Sequence, residues 1–130
     1  MKTKFHHVSL KVKDFDKVVN FYKDVLGLKE KITWTMKDAP AAMLQMDDGG
    51  IVEVFGGNTD ADEANARWGH LCIAVDDVPG TYKKAIEYGA KSSIEPGKTT
   101  IEGNEGKSVK LEYAFVQGFG GEILEFMKEG

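Results

Sequence analysis

One phrase is written twice in this chain, and the repetition restricts the fold more than any other feature. His7-Val8-Ser9-Leu10-Lys11-Val12-Lys13-Asp14 alternates polar and apolar residues, the period of a half-buried strand. Val8, Leu10 and Val12 point to a core, and His7, Ser9 and Lys11 to the opposite face. His70-Leu71-Cys72-Ile73-Ala74-Val75-Asp76-Asp77 repeats the phrase. His70, Ile73, Val75 and Asp77 take the places of His7, Leu10, Val12 and Asp14 at a constant offset (70 − 7 = 63; 77 − 14 = 63). Such a chain is one small supersecondary unit used twice.

Each copy leads into the same order of elements. After the first, Asp14 caps a helix whose apolar residues Val18, Phe21, Tyr22, Val25 and Leu26 recur at helical spacing until Gly27 stops it. Strands are predicted at 28–36, 41–46 and 51–55, with a turn at 37–40 and the hairpin signal Asp47-Asp48-Gly49-Gly50. After the second copy, Pro79 suits a helix start and Gly89 its end. Strands are predicted at 91–94, 109–116 and 123–127. Residues 95–107, rich in Gly, Thr, Asn and Lys, read as a long loop, and Gly118-Phe119-Gly120-Gly121 as a tight turn. The class is α+β: two βαβββ modules over residues 1–56 and 70–130, joined by a small and polar linker at 57–69 that Trp68 would anchor.

Composition narrows the partners. With 130 residues and a formal charge of −4, the chain is one domain's worth of protein without the basic surface that nucleic acid requires. No apolar run approaches the roughly 20 residues of a membrane span, and no signal-peptide pattern opens the sequence. A single cysteine, Cys72, fits a reducing cytoplasm, and its plainest reading is a small buried hydrophobe. There is no phosphate-binding glycine loop and no nucleophile elbow.

The polar side of the alternation carries the chemistry. Glu53 faces away from Val52 and Val54, and Glu125 away from Leu124 and Phe126. Each module therefore offers one imidazole and one carboxylate, on the non-core faces of its first and last strands. Neighbouring strands would bring the two within about 5 Å. A carboxylate buried alone is costly, and a divalent ion removes that cost. His7, Glu53, His70 and Glu125 together suit Zn, Ni, Co, Mn or Fe, with positions left open for substrate. His6 has Gly69 at its repeat position and reads as a surface or rim residue. Trp34, Met36, Met43 and Met46 are candidates to line a pocket or to fill the core.

These residues, with Phe21-Tyr22-Lys23-Asp24-Val25-Leu26-Gly27-Leu28, Gly69-His70-Leu71-Cys72-Ile73-Ala74-Val75 and Gly121-Glu122-Ile123-Leu124-Glu125-Phe126, resemble the vicinal-oxygen-chelate superfamily over nearly the whole chain. That group includes glyoxalase I, methylmalonyl-CoA epimerase, extradiol dioxygenases, and fosfomycin and bleomycin resistance proteins. The resemblance implies paired βαβββ modules around a metal cleft, with the ligand set on His7, Glu53, His70 and Glu125, most like glyoxalase I. It implies proton transfer through an enediolate of a 2-oxoaldehyde–thiol hemithioacetal, with Glu125 as first choice for the catalytic base and Glu53 as second. It further implies one divalent ion per site, nickel or cobalt favoured, and a homodimer in which the ligands come from one chain or two. Lys11 stands where glyoxalase I proteins usually have an Arg, and Asn58 is beside the position of a usual Asn, Gly57 here. Lys11 and Asn58 are accordingly candidate substrate contacts, and Lys98 and Lys107, in the loop after the second helix, are candidates for anion contacts. The alternatives within the resemblance are an acyl-CoA epimerase, which tends to carry Gln at the place of Glu53, a three-ligand dioxygenase or thiol transferase, and a metal-free antibiotic-binding protein.

Overall fold

The computed structural model describes residues 2–57, 67–119 and 122–130. In chain order the elements are β1 (Thr3–Lys11), α1 (Phe15–Asp24), β2 (Lys29–Met36), β3 (Ala39–Gln45), β4 (Ile51–Phe55), β5 (Arg67–Val75), α2 (Val78–Tyr88), β6 (Lys91–Glu102), β7 (Ser108–Gln117) and β8 (Ile123–Glu129). The strand–helix–three-strand order is thus present twice. The chain divides into two compact units. One, here the amino-terminal unit, comprises residues 7–69 and 102–108. The carboxy-terminal unit comprises residues 1–6, 70–101 and 109–130.

In the amino-terminal unit the strand order is β2-β3-β4-β1. β1 and β4 are parallel, with Ser9 opposite Glu53, and the other pairs are antiparallel. The parallel pair needs a crossover, and α1 supplies it. Asp14 Oδ1 accepts from the Lys17 backbone N–H at 3.1 Å, which satisfies one of the orphan donors of the helix start. Past the helix, Gly27 takes φ +77° and its N–H donates to the Lys23 carbonyl. α1 covers one sheet face, where Val19 joins Leu10, Val12, Leu28, Ala42, Leu44, Val52 and Val54, with Phe15, Val18 and Tyr22 packed against them. Phe21, Val25 and Leu26, placed by spacing on the inward stripe, are instead exposed. The helix meets the sheet through Phe15, Val18, Val19 and Tyr22; Phe21 lies about 100° round the helix from Tyr22, and Val25 and Leu26 follow its end at Asp24. β2 and β3 turn through Lys37 and Asp38, both at positive φ, as the tight mirror-image hairpin turns require.

The carboxy-terminal unit repeats the plan with strand order β5-β8-β7-β6. Asp77 Oδ1 accepts from the Gly80 N–H at 3.0 Å, Pro79 occupies the first turn, and Gly89 at φ +120° closes α2. Beneath α2 lie Val75, Val78, Ala114, Val116 and Phe126. Cys72 is fully buried against Leu111 and Met127 on the other face, as a small hydrophobe would be.

Several boundaries differ from the sequence reading: residues 39–40 are strand rather than turn, and two further shifts are larger. β6 runs unbroken from Lys91 to Glu102, and only residues 103–107 turn, so residues 95–102 are strand rather than loop. Most of β6 is exposed on both faces, so burial imposes no alternation on its sequence, and Pro96 is tolerated on a sheet margin. β5 begins at Arg67, so residues 67–69 are strand rather than linker, and Trp68 is exposed on it. The turn glycines Gly120 and Gly121 lie outside the described residues. Among the described residues, no helix is long and apolar enough to cross a membrane.

Candidate functional site

Each unit places its histidine and its glutamate by the same register. In the amino-terminal unit Ser9 is the partner of Glu53, and His7 lies two residues earlier on β1, on the same face. His7 Nε2 stands 3.3 Å from Glu53 Oε1, with both side chains almost wholly buried. In the carboxy-terminal unit Cys72 is the partner of Glu125, and His70 lies two residues earlier on β5. His70 Nε2 stands 3.1 Å from Glu125 Oε1. The strand pairs are therefore equivalent residue for residue, although the repeat offset grows from 63 at β1/β5 to 72 at β4/β8 (125 − 53 = 72). The difference is taken up by the longer β6–β7 hairpin, whose strands have 12 and 10 residues where β2 and β3 have 8 and 7.

The surroundings of the two pairs are apolar but not identical. Glu53 has Met43 as its β3 partner, with Ile51 and Phe55 on the same face of β4. Trp34 meets Phe55 edge-on at 5.8 Å. Glu125 has Phe115 as its β7 partner, and the Phe115 ring stands edge-on to the His70 imidazole at 5.2 Å. Glu53 and Glu125 are each 4% exposed. A carboxylate so buried must be met by a positive group, a proton or strong hydrogen bonds. The facing imidazole is such a partner. A divalent ion is another, and the donor set fits one. Two donors at about 2.1 Å from one ion and on adjacent coordination positions lie roughly 3.0–3.4 Å apart, the separation found in both pairs. Each pair offers one nitrogen and one oxygen, the ligand chemistry of zinc and of the later first-row metals.

The remaining candidates are dispersed. Lys11 is on the Glu53 face of β1, in the row after Ser9 and opposite Phe55, with an exposed ammonium. Lys98 lies exposed on β6 and Lys107 exposed at the hairpin tip, its carbonyl accepting from the Gly103 N–H. Asn58 lies outside the described residues. Trp34 and Met43 are buried, while Met36 and Met46 are exposed. His6 corrects the sequence reading. It is buried rather than at a rim, and its Nε2 is 2.6 Å from Glu129 Oε2, the carboxylate four residues after Glu125. The repeat comparison missed it because its repeat position is Gly69. Adjacent histidines followed by a strand ending in Glu129 were the signal available.

Two buried polar atoms, Ser9 Oγ and Trp34 Nε1, have no hydrogen-bond partner among the described residues. Each costs about 1–3 kcal/mol if left so. Both belong to the face that holds His7 and Glu53.

The profile of the Glyoxalase/Bleomycin resistance protein/Dioxygenase superfamily matches residues 4–123. The Bacillus subtilis protein YwbC, itself uncharacterized, is 29% identical over 98% of this chain and 99% of its own length. The lactoylglutathione lyase of Haemophilus influenzae is 29% identical over 94% of this chain and 90% of its own. Among solved structures, methylmalonyl-CoA epimerase from Mycobacterium tuberculosis superposes with a TM-score of 0.71 at 17% identity, covering 97% of this chain and 87% of that one, which establishes a shared fold.

Proposed function

Because the chain belongs to the glyoxalase, bleomycin resistance protein and dioxygenase superfamily, whose members are mostly enzymes, we propose that it is a glyoxalase I-like lyase acting on the hemithioacetal of a 2-oxoaldehyde and a thiol. The observation that carries this reading is the duplicated pair: His7 with Glu53, and His70 with Glu125, at one register position and at 3.3 and 3.1 Å. A three-ligand dioxygenase site leaves no ligand role for the fourth residue, and a metal-free binding protein leaves the set no ligand role at all.

In this reading the four side chains hold one divalent ion, nickel or cobalt in preference to zinc, manganese or iron. When bound, the ion supplies Lewis-acid stabilisation of negative charge on the substrate oxygens. The chain's own residues do the rest. His7 and His70 would each offer an imidazole nitrogen to hold the ion. Glu125 accepts the proton from the carbon next to the carbonyl and returns it to the adjacent carbon, as base and then acid. The apolar residues around it, Phe115 foremost, keep water from competing for that proton. Glu53 balances charge on the other side, and Lys11 steadies an anionic end of the substrate. The similarity to a protein named lactoylglutathione lyase over 90% of that protein's length supports this choice over epimerisation of an acyl-CoA thioester. The likeness to the epimerase is one of fold.

The test is direct. Purified protein loaded with Ni²⁺ or Co²⁺ is assayed for lactoylglutathione formation from methylglyoxal and glutathione, and for epimerisation of methylmalonyl-CoA. Product from the first reaction only supports the reading; product from the second only replaces it with the epimerase. Metal analysis on the same sample expects one ion per two His–Glu pairs. Sizing of the same sample expects a homodimer.

A further inference from the structure

One ring that α1 packs against its sheet has no ring at its repeat position in α2. The helices of the two units correspond at the offset of 63 that relates Asp77 to Asp14, so Thr81 stands for Val18 and Ala85 for Tyr22. Val18 and Tyr22 pack against the core beneath α1. Where the smaller pair replaces them, a cavity of about 460 Å³ lies between α2 and the sheet. Thr81 and Ala85 line it from the helix, and Val116, Leu124 and Phe126 from the sheet. Tyr82, at the place of Val19, does not make up the lost volume. Its hydroxyl donates to Ser92 Oγ at 2.6 Å, and its ring is not part of the cavity wall.

The cavity is separate from the site described above. Val116, Leu124 and Phe126 alternate with Phe115 and Glu125 along β7 and β8, so it opens on the sheet face opposite the His70–Glu125 pair. Its size falls in the range of small-molecule sites, roughly 300–1,000 Å³. The walls are mostly apolar, and two large aromatic side chains stand at the rim. Tyr88 is 84% and Phe119 73% exposed, with their rings edge-on at 5.9 Å. Apolar rings held together in solvent beside a cavity mark a surface that a ligand covers.

The charge at the rim selects the ligand's polar end. Lys84 and Glu122 both line the cavity. Glu122 folds its carboxylate over its own turn, where a Cβ added to Gly118 would come within 2.5 Å of it. Lys84 is exposed, and the acid of α2, Glu87, stands 3.9 Å from Lys83 instead. The ammonium of Lys84 is therefore the charge that a ligand can meet.

We propose that the carboxy-terminal unit holds a second small-molecule site, for an aryl carboxylate. Its aromatic body occupies the space that a tyrosine ring takes in the other unit, between Ala85 and the sheet, and its carboxylate pairs with Lys84 at the rim.

The probes are 2-naphthylacetate and its neutral analogue 2-naphthylacetamide. They are titrated into the full chain by calorimetry after chelator treatment, so that no carboxylate binds through a metal ion. The acid is expected to bind once per chain with a Kd of about 1 mM or tighter, the affinity of a ligand of its size at ordinary efficiency. The amide is expected to bind about threefold more weakly, the contribution of one exposed ion pair. Lys84→Gln is expected to remove that difference by weakening the acid alone. Ala85→Tyr restores the ring of Tyr22 and is expected to abolish binding of both.

Methyl NMR locates the ligand. Shifts are expected at Val116 and Leu124, with their counterparts beneath α1, Leu44 and Val52, unmoved. Binding weaker than about 1 mM, equal affinity for acid and amide, shifts confined to other methyls, or full binding by a folded Ala85→Tyr each overturns the proposal. If circular dichroism shows that Ala85→Tyr does not fold, Lys84→Gln and the methyl shifts decide it. No turnover is read and no ion is bound, so the result is independent of the lyase reading.

Discussion

The imidazole of His7 lies 3.3 Å from the carboxylate of Glu53, although the two are not register partners. Ser9 is the residue opposite Glu53, and His7 reaches its carboxylate from two residues away. The parallel pairing of β1 with β4 makes this diagonal reach possible, and the same diagonal recurs between His70 and Glu125. Each pair is set by the register of its own two strands. Removing one partner therefore exposes what that pair contributes.

His7→Ala and His70→Ala are each expected to reduce bound Ni²⁺ to well under half of the unsubstituted level if the four side chains share one ion. Each substitution also leaves a buried carboxylate without its imidazole, which is expected to cost about 3–5 kcal/mol. Metal analysis after gel filtration and urea denaturation check the two effects separately. A variant that retains half of an initial two ions per chain would show two separate sites instead of one.

Glu125→Gln keeps the shape of the side chain and an oxygen that can still ligate, while removing the base. Turnover of the hemithioacetal is expected to fall about 10²- to 10⁴-fold, with a circular dichroism spectrum that matches the unsubstituted protein. Glu53→Gln is expected to lose less. The opposite ranking in kcat would transfer the proton-carrying role to Glu53.

How far the sequence reached is visible in these same residues. The alternation in β1 and β5 placed His7 and His70 on one face with Ser9 and Cys72, because a half-buried strand imposes a period of two on its sequence. Glu53 and Glu125 were legible for the same reason. β6 was not, since a strand exposed on both faces has no burial to record, and its glycine, proline and threonines read as loop. Nor was the inward stripe of α1 fully legible: Tyr22 is packed while its neighbour Phe21, about 100° round the helix, is exposed, and Val25 and Leu26 fall past the helix end at Asp24. His6 was passed over because its partner, Glu129, is more than a hundred residues away and has no place in the repeat comparison.

Ion removal tests the cofactor apart from catalysis. Treatment with a chelator is expected to lower Tm by several degrees and Ni²⁺ or Co²⁺ to restore it, since an ion at about 100 times its Kd adds about 2.7 kcal/mol to the folded state. Mg²⁺ is expected to restore less, because it favours all-oxygen coordination and retains its waters. A Tm indifferent to chelator and to added metal would count against the shared-ion reading.

Lys11 lies opposite Phe55, on the face of β1 that carries His7 and Ser9. Lys11→Ala is expected to raise KM for the glutathione hemithioacetal several-fold with little change in kcat, and Lys11→Arg to recover most of the loss by keeping the charge and presenting its donors as a planar fork. Steady-state kinetics at two ionic strengths check this, since an ammonium in open solvent loses influence as salt rises. A KM unaffected by Lys11→Ala at low salt removes the residue from the site.

Gly103 offers a purely structural test of the hairpin tip. The tip belongs to the amino-terminal unit, where the Asn104 N–H donates to the Thr33 carbonyl at 2.8 Å. A Cβ added at Gly103 would come within 2.6 Å of the Lys107 carbonyl oxygen and 2.8 Å of the Ile32 side chain. The first is backbone, which cannot swing aside as a side-chain end would. Gly103→Ala is therefore expected to destabilise the protein by about 1–3 kcal/mol and to open the Gly103–Lys107 turn. Gly106→Ala, with no atom within 4 Å of the added carbon but φ at +77°, is expected to cost about 1 kcal/mol from backbone strain alone. Urea denaturation of the two variants, with hydrogen exchange at Asn104, distinguishes crowding from strain: only Gly103→Ala should release the Asn104 amide. Equal protection of that amide in both variants would mean that the tip accommodates a side chain at Gly103 without leaving β2.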